Sequence, residues 1–183
     1  MSVFPAVAVP FEAGYLTAWR EEDVPMLVVA ANDPQTHRWL PLPSPYTEEH
    51  GRHWTMTRSE QLRVSGDGLH LAARASDASL IGSISLKRTD WAARVTEIGY
   101  WTVPHMRGRG LTTSAVRALA LWALTEGGMR RVELRVAPGN VASRRVAEKA
   151  GFIEEGTLRD AGIVHGGRVD LVIFSIVVDD LAS

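Results

Sequence analysis

The chain has 183 residues, a formal net charge of −1, 45% hydrophobic and 22% charged residues, and no cysteine. That length suits one domain, residues 1–183, around a single core. The near-neutral charge supplies no drive toward nucleic acid or a membrane surface. The missing thiols exclude disulfides, cysteine nucleophiles and cysteine-ligated metals, and a cytoplasmic protein without a metal is expected. The start, MSVFPAVAVP, has no basic segment and carries two prolines, so it does not read as a signal peptide. No apolar run of about 18 residues offers a membrane span.

Tyr15 to Trp19 reads as a short strand. Glu21-Glu22-Asp23 and Pro25 mark the start of a helix running to Ala31. Four prolines, at 34, 41, 43 and 45, make Asn32 to Tyr46 a loop. Thr47 caps a helix reaching about Leu62. Three short strands follow, His70 to Ala75, Leu80 to Leu86 and Val95 to Val103, close enough for antiparallel hairpins. Pro104 ends the third. Leu111 to Glu126 is a largely buried helix stopped by Gly127-Gly128. Val132, Leu134 and Val136 alternate with Arg131, Glu133 and Arg135, a strand with two unlike faces. Asn140 opens a helix ending at Gly151, and Phe152 to Leu158 and Ile163 to Val178 are the last strands. The order predicts an α/β fold with a mixed, mostly antiparallel central sheet, one parallel crossover and flanking helices.

Between the third strand and the buried helix lies His105-Met106-Arg107-Gly108-Arg109-Gly110, then Leu111-Thr112-Thr113. Glycines without a Cβ let backbone N–H groups approach phosphate oxygens. The helix N-terminus adds about half a positive charge, and the two arginines add whole ones. The combination favours a pyrophosphate. The Gly-x4-Gly-Lys-Ser/Thr loop is absent, and Thr113 stands where a dinucleotide fingerprint needs its third glycine.

The strings TEIGYWTVPHMRGRGLTTSAVRALALWAL, NVASRRVAEKAGF and LRDAGIVHGGRVDLVIFSI resemble the GCN5-related N-acetyltransferase (GNAT) superfamily, closest to its ribosomal-protein N-acetyltransferase, RimJ/RimL-like branch. The resemblance runs from about Tyr15 to Val178. It implies acetyl-CoA as co-substrate, a primary amine as acceptor (a protein N-terminus or a small molecule), and direct transfer in a ternary complex. It also implies a strand pair that splays to admit the pantetheine arm beside Trp101, Thr102 and Val103. Arg107, Gly108, Arg109, Gly110, Leu111 and Thr112 fall on the family's phosphate motif, with His105 departing from its usual first residue. Asn140 matches a pantetheine contact and Ser143 a residue near the thioester sulfur. Asn140 is equally an N-cap by its position. Glu97 matches a general base found in parts of the superfamily. Strand alternation puts it with Gly99 and Trp101 on one face, where an ion pair with Arg94 or Lys87 is its other role. A homodimer is left open.

The acceptor decides how strong a base is needed. Neutralising an α-amine at pH 7 costs about 1 kcal/mol, a lysine amine roughly 4.6 kcal/mol. His37 and His53 are alternative bases. Trp39, Tyr46 and Trp54 are candidates for lining the acceptor cleft. A non-catalytic acyl-CoA sensor of the same fold is the alternative function.

Overall fold

The computed structural model describes residues 2–182. Eight strands are present: β1 (Val9–Phe11), β2 (Gly14–Thr17), β3 (Leu69–Ala75), β4 (Leu80–Asp90), β5 (Val95–Thr102), β6 (Arg131–Val136), β7 (Ile153–Val164) and β8 (Gly167–Val177). They form one sheet in the order β1-β2-β3-β4-β5-β6-β8-β7, antiparallel except for the parallel pair β5–β6. In β6 the alternation expected from sequence is realised. Val132, Leu134 and Val136 are buried, while Arg131, Glu133 and Arg135 lie half-buried on the other face.

Helices α5 (Leu111–Thr125) and α6 (Val141–Lys149) cover one face. Ala115, Val116, Leu119 and Ala123 of α5 join Leu71, Ile84, Ile98, Val132 and Phe174 of the sheet in the main core. A second core lies on the opposite face of the N-terminal half. It joins Leu27 and Ala30 of α1 (Val24–Ala31) to Trp19, Tyr46, Ala72 and Leu80. Ahead of α1, the buried Asp23 accepts Arg74 in two hydrogen bonds of 2.7 and 2.6 Å. This ties the helix to β3.

The region read as a loop contains α2 (Pro34–Trp39). Pro34 sits in its first turn, where a missing N–H costs nothing, and Asp33 caps it by accepting from Thr36 N–H. The helix predicted from Thr47 is present as α3 (Glu48–His53) and α4 (Ser59–Ser65), joined by a π-helical turn, Trp54–Arg58. Of the last two strands, β7 runs further than expected, to Val164, and β8 starts later, at Gly167 rather than Ile163, so the chain turns at His165-Gly166. Residues 159–162, the expected gap between the two strands, form a bulge inside β7, with Asp160 in the left-handed region at φ 54°.

The feature that positions everything functional is the junction of β5 and β6. Their pairing stops at Glu97 and Glu133, yet the strands continue to Thr102 and Val136. Beyond Glu97 they splay apart. Among the described residues no helix is long and apolar enough to cross a membrane, and no cluster of three metal-ligating side chains exists.

Candidate active site

A cleft of about 940 Å³ occupies the splay. Its floor is β5 from Glu97 to Thr102. Its walls are the glycine turn with the start of α5, one side of α6 from its cap to Lys149, α2, and the β7–β8 hairpin near its tip.

At the turn, Gly108 and Gly110 adopt φ of 75° and 78°, left-handed values that side chains strain to reach. Gly110 is the N-cap of α5, and no side chain caps that helix. The N–H groups of Leu111, Thr112 and Thr113 therefore lie at the cleft without a side-chain acceptor, a ready anion site. Thr112 Oγ1 is 2.6 Å from Thr102 Oγ1, which fastens the helix start to the end of β5.

The two arginines of the turn part company. Arg109 makes no ion pair among the described residues and lines the cleft. Arg107, expected to meet phosphate, is committed elsewhere. Its guanidinium bonds Asp33 Oδ2 at 2.6 Å, Thr36 Oγ1 at 2.9 Å and Gln35 Oε1 at 3.1 Å, and its Nε donates to the Thr102 carbonyl at 3.2 Å. Burial of Asp33 opposes its charge, but the bonds from Arg107 and Thr36 hold its carboxyl below the ordinary range. Arg107 thus clamps the turn to α2.

Along β5, hydrogen-bond directions alternate. Val103 N–H donates to the Ile81 carbonyl at 2.9 Å, so Trp101 and Val103 spend their N–H groups on β4, and those of Tyr100 and Thr102 face the splay. Val103, expected beside the pantetheine arm, is fully buried and is not among the residues lining the cleft. Trp101 lines the cleft and stacks on Trp19, with ring centroids 6.0 Å apart.

Asn140 is the N-cap of α6. Its Oδ1 accepts from Ser143 N–H at 3.2 Å, and the cap leaves its amide NH₂ at the cleft. Ser143 Oγ lies 2.7 Å from Tyr100 Oη. Burial pushes the Tyr100 hydroxyl up to about 12, opposed by the bond to Ser143, so it stays protonated. Sequence reasoning missed Tyr100 because it followed the Glu97–Trp101 face of β5. Alternation already placed Tyr100 on the other face, toward α6.

At the closed end of the splay, Glu97 is 7% exposed and both its oxygens are occupied. Lys87 Nζ is 3.0 Å from Oε1; Arg88 Nη1 is 3.0 Å and Arg135 Nε 3.5 Å from Oε2. The pairing continues across the sheet through Glu133 and Arg131 to Glu155. Arg131, helped by Ser175, holds the Glu155 carboxyl down to about 2. The ion-pair role for Glu97 is therefore the one its geometry favours, with Lys87 as expected but Arg88 and Arg135 in place of Arg94, which bonds the Gly128 carbonyl.

Of the aromatics considered for the acceptor side, Trp39 lines the cleft, while Tyr46 and Trp54 belong to the second core. His53 is exposed and away from the cleft. His37 packs at a tilt against His165 of the hairpin turn, with ring centroids 3.9 Å apart, joining α2 to the hairpin.

The model of the acetyltransferase (GNAT) domain family matches residues 15–153. YdaF of Bacillus subtilis, assigned as a ribosomal N-acetyltransferase, is 44% identical over 101 residues, 55% of each chain. The ribosomal-protein-serine acetyltransferase of Escherichia coli is 32% identical over 100 residues, 55% of this chain and 56% of that protein. The chain spans little more than half the length of these curated relatives. Among solved structures, RimL, a ribosomal L7/L12 α-N-protein acetyltransferase in complex with coenzyme A, superposes with a TM-score of 0.82. It is 21% identical, covering 98% of this chain and 99% of that one.

Proposed function

The chain belongs to the GNAT acetyltransferase family, in its RimJ/RimL-like branch, and on that premise we propose that it moves an acetyl group from acetyl-CoA to a primary amine by direct transfer in a ternary complex. The observation that carries this reading is the splay itself. A strand edge with free N–H groups leads from Glu97 to an uncapped helix N-terminus behind two left-handed glycines.

The residues fit a coenzyme A at both ends. The N–H groups of Leu111 to Thr113 and the Arg109 guanidinium suit the pyrophosphate. Arg145 and Lys149, one turn apart on α6, also line the cleft and make no ion pair among the described residues. They add charge for the remaining phosphate. The pantetheine arm fits the free edge at Tyr100 and Thr102 and the Asn140 amide.

Acetyl-CoA supplies the activated carbonyl, which the amine nitrogen attacks. The Tyr100 or Thr102 N–H stabilises the negative charge that develops on its oxygen, a contribution of about 3 kcal/mol. As the carbon–sulfur bond breaks, Ser143 Oγ–H gives its proton to the sulfur and takes one from Tyr100 Oη–H, and Tyr100 regains its proton through water from the one the attacking ammonium sheds, so that it ends protonated. With Glu97 held by three cations, the ammonium proton leaves to water, which suits an α-amine far better than a lysine. Glu97 as base remains the alternative within this mechanism.

The occupied oxygens of Glu97 are also the one observation favouring a non-catalytic acyl-CoA sensor. Thiol detection of released CoA over a panel of amines separates the two. Acceptor-dependent release is expected. Binding of acetyl-CoA with no release from any amine would establish the sensor.

A further inference from the structure

We infer that the acceptor is a primary α-amine with a carboxylate close beside it, an acidic peptide N-terminus or a free acidic amino acid. The inference rests on the acetyl-transfer reading and names the substrate class of that same site.

The argument begins with a backbone irregularity. Lys87 and Arg88 are consecutive on β4, so regular alternation would aim them at opposite faces. Instead the β4–β5 register shifts between Lys87 and Asp90, and Arg88 takes a left-handed φ of 52°. Such a conformation is unfavourable for a side-chain-bearing residue by about 1 kcal/mol or more. Its result is that both cations converge on Glu97 at the closed end of the cleft. Bulges re-aim side chains beside functional sites, and this one adds a second positive head where one would have neutralised Glu97.

The ion-pair ladder is unbalanced as well as layered. Lys87, Arg88, Arg131 and Arg135 outnumber Glu97, Glu133 and Glu155. The carboxylates nearest the cleft lie low, with side-chain exposures of 7% for Glu97 and 17% for Glu133. The cations stand above them, at 64% for Arg88, 41% for Lys87 and 32% for Arg135. A molecule entering there meets guanidinium and ammonium heads. A second positive charge on the acceptor is repelled, and a carboxylate is drawn in bidentate geometry.

These cations are too far away to be the phosphate site. Five residues of extended strand separate Glu97 from Thr102, roughly 16 Å. The pyrophosphate features all lie beyond Thr102. The carboxylate of the acceptor is thus recognised at one end of the cleft and the phosphates of the donor at the other.

The test measures kcat/KM by thiol release for peptides with a free N-terminus followed by Asp-Glu, Asn-Gln or Lys-Lys, and for free aspartate and spermidine. The acidic peptide or aspartate is expected to exceed the lysine peptide and spermidine by at least about tenfold, with the margin shrinking as salt rises. Aspartate above the acidic peptide identifies the free amino acid; the reverse identifies a protein N-terminus. Arg88→Gln should bring the acidic and neutral peptides within about threefold without changing acetyl-CoA affinity, and Arg88→Lys should restore part of the margin. Equal use of acidic and neutral peptides by the wild-type protein, or preference for spermidine, overturns the inference and leaves acetyl transfer standing. Acetyl-CoA binding without release from any amine overturns both.

Discussion

Glu97 carries the sharpest consequence at the scale of single residues. A carboxylate gripped by three cations is an anchor, and removing its charge leaves those cations uncompensated. Glu97→Gln should lower stability by roughly 1–3 kcal/mol in denaturant melts while the limbs of the pH–rate profile stay in place. A profile whose acidic limb, where a base loses its proton, moves or disappears with that substitution would make Glu97 the general base after all. Ser143 has a different signature. As donor to the leaving sulfur, Ser143→Ala should reduce kcat on the order of 10²-fold, with acetyl-CoA affinity nearly unchanged. Loss of affinity without loss of kcat would reduce Ser143 to a contact. The sequence made Gly108, Gly110, Asn140 and Ser143 visible because their roles depend on local backbone geometry. It could not tell Arg107 from Arg109. The two are alike in type and lie in the same turn, and what separates them is Asp33, which the fold brings from 74 positions away.

At the scale of elements, the cleft is held open by clamps between pieces distant in the chain. Arg107 joins the glycine turn to α2 and its cap through three hydrogen bonds, and to the end of β5 through a fourth. Arg107→Ala should raise the KM for acetyl-CoA, and the loss of the partly buried pair with Asp33 should cost about 1–3 kcal/mol of stability. Arg107→Lys should rescue neither fully, because an ammonium cannot span the same acceptors. A KM equal to wild type would mean that α2 does not position the turn. The helix itself was hidden by Pro34, which looks like a breaker until Asp33 is seen as its cap. The mixed sheet, by contrast, was legible from alternation and short spacings, most clearly in Arg131 to Val136. The register shift at Lys87–Asp90 was not, because a bulge changes alternation without changing residue type.

For the whole molecule, pH acts on stability through buried groups. His70 packs edge-on to Trp54 at 5.1 Å. Burial, then the charges of Lys87 and Arg58, push its imidazole down to about 4. Its folded value is below the unfolded one, near 6.5, so its contribution is complete above pH 6.5 and fades as pH falls toward 4. The loss amounts to at most about 3 kcal/mol. His70→Gln should flatten thermal stability across that window, and an unchanged slope would show that other groups set it. The central claim, that the splayed strands and glycine turn hold acyl-CoA, is tested most directly by calorimetric titration of the wild-type protein and Gly108→Val with acetyl-CoA, CoA and NAD. Both CoA compounds should bind the wild type and NAD should not, and Gly108→Val should bind neither CoA compound measurably while melting as a folded protein. Absence of CoA binding by the wild type, or equal affinity in a folded Gly108→Val, would contradict the account.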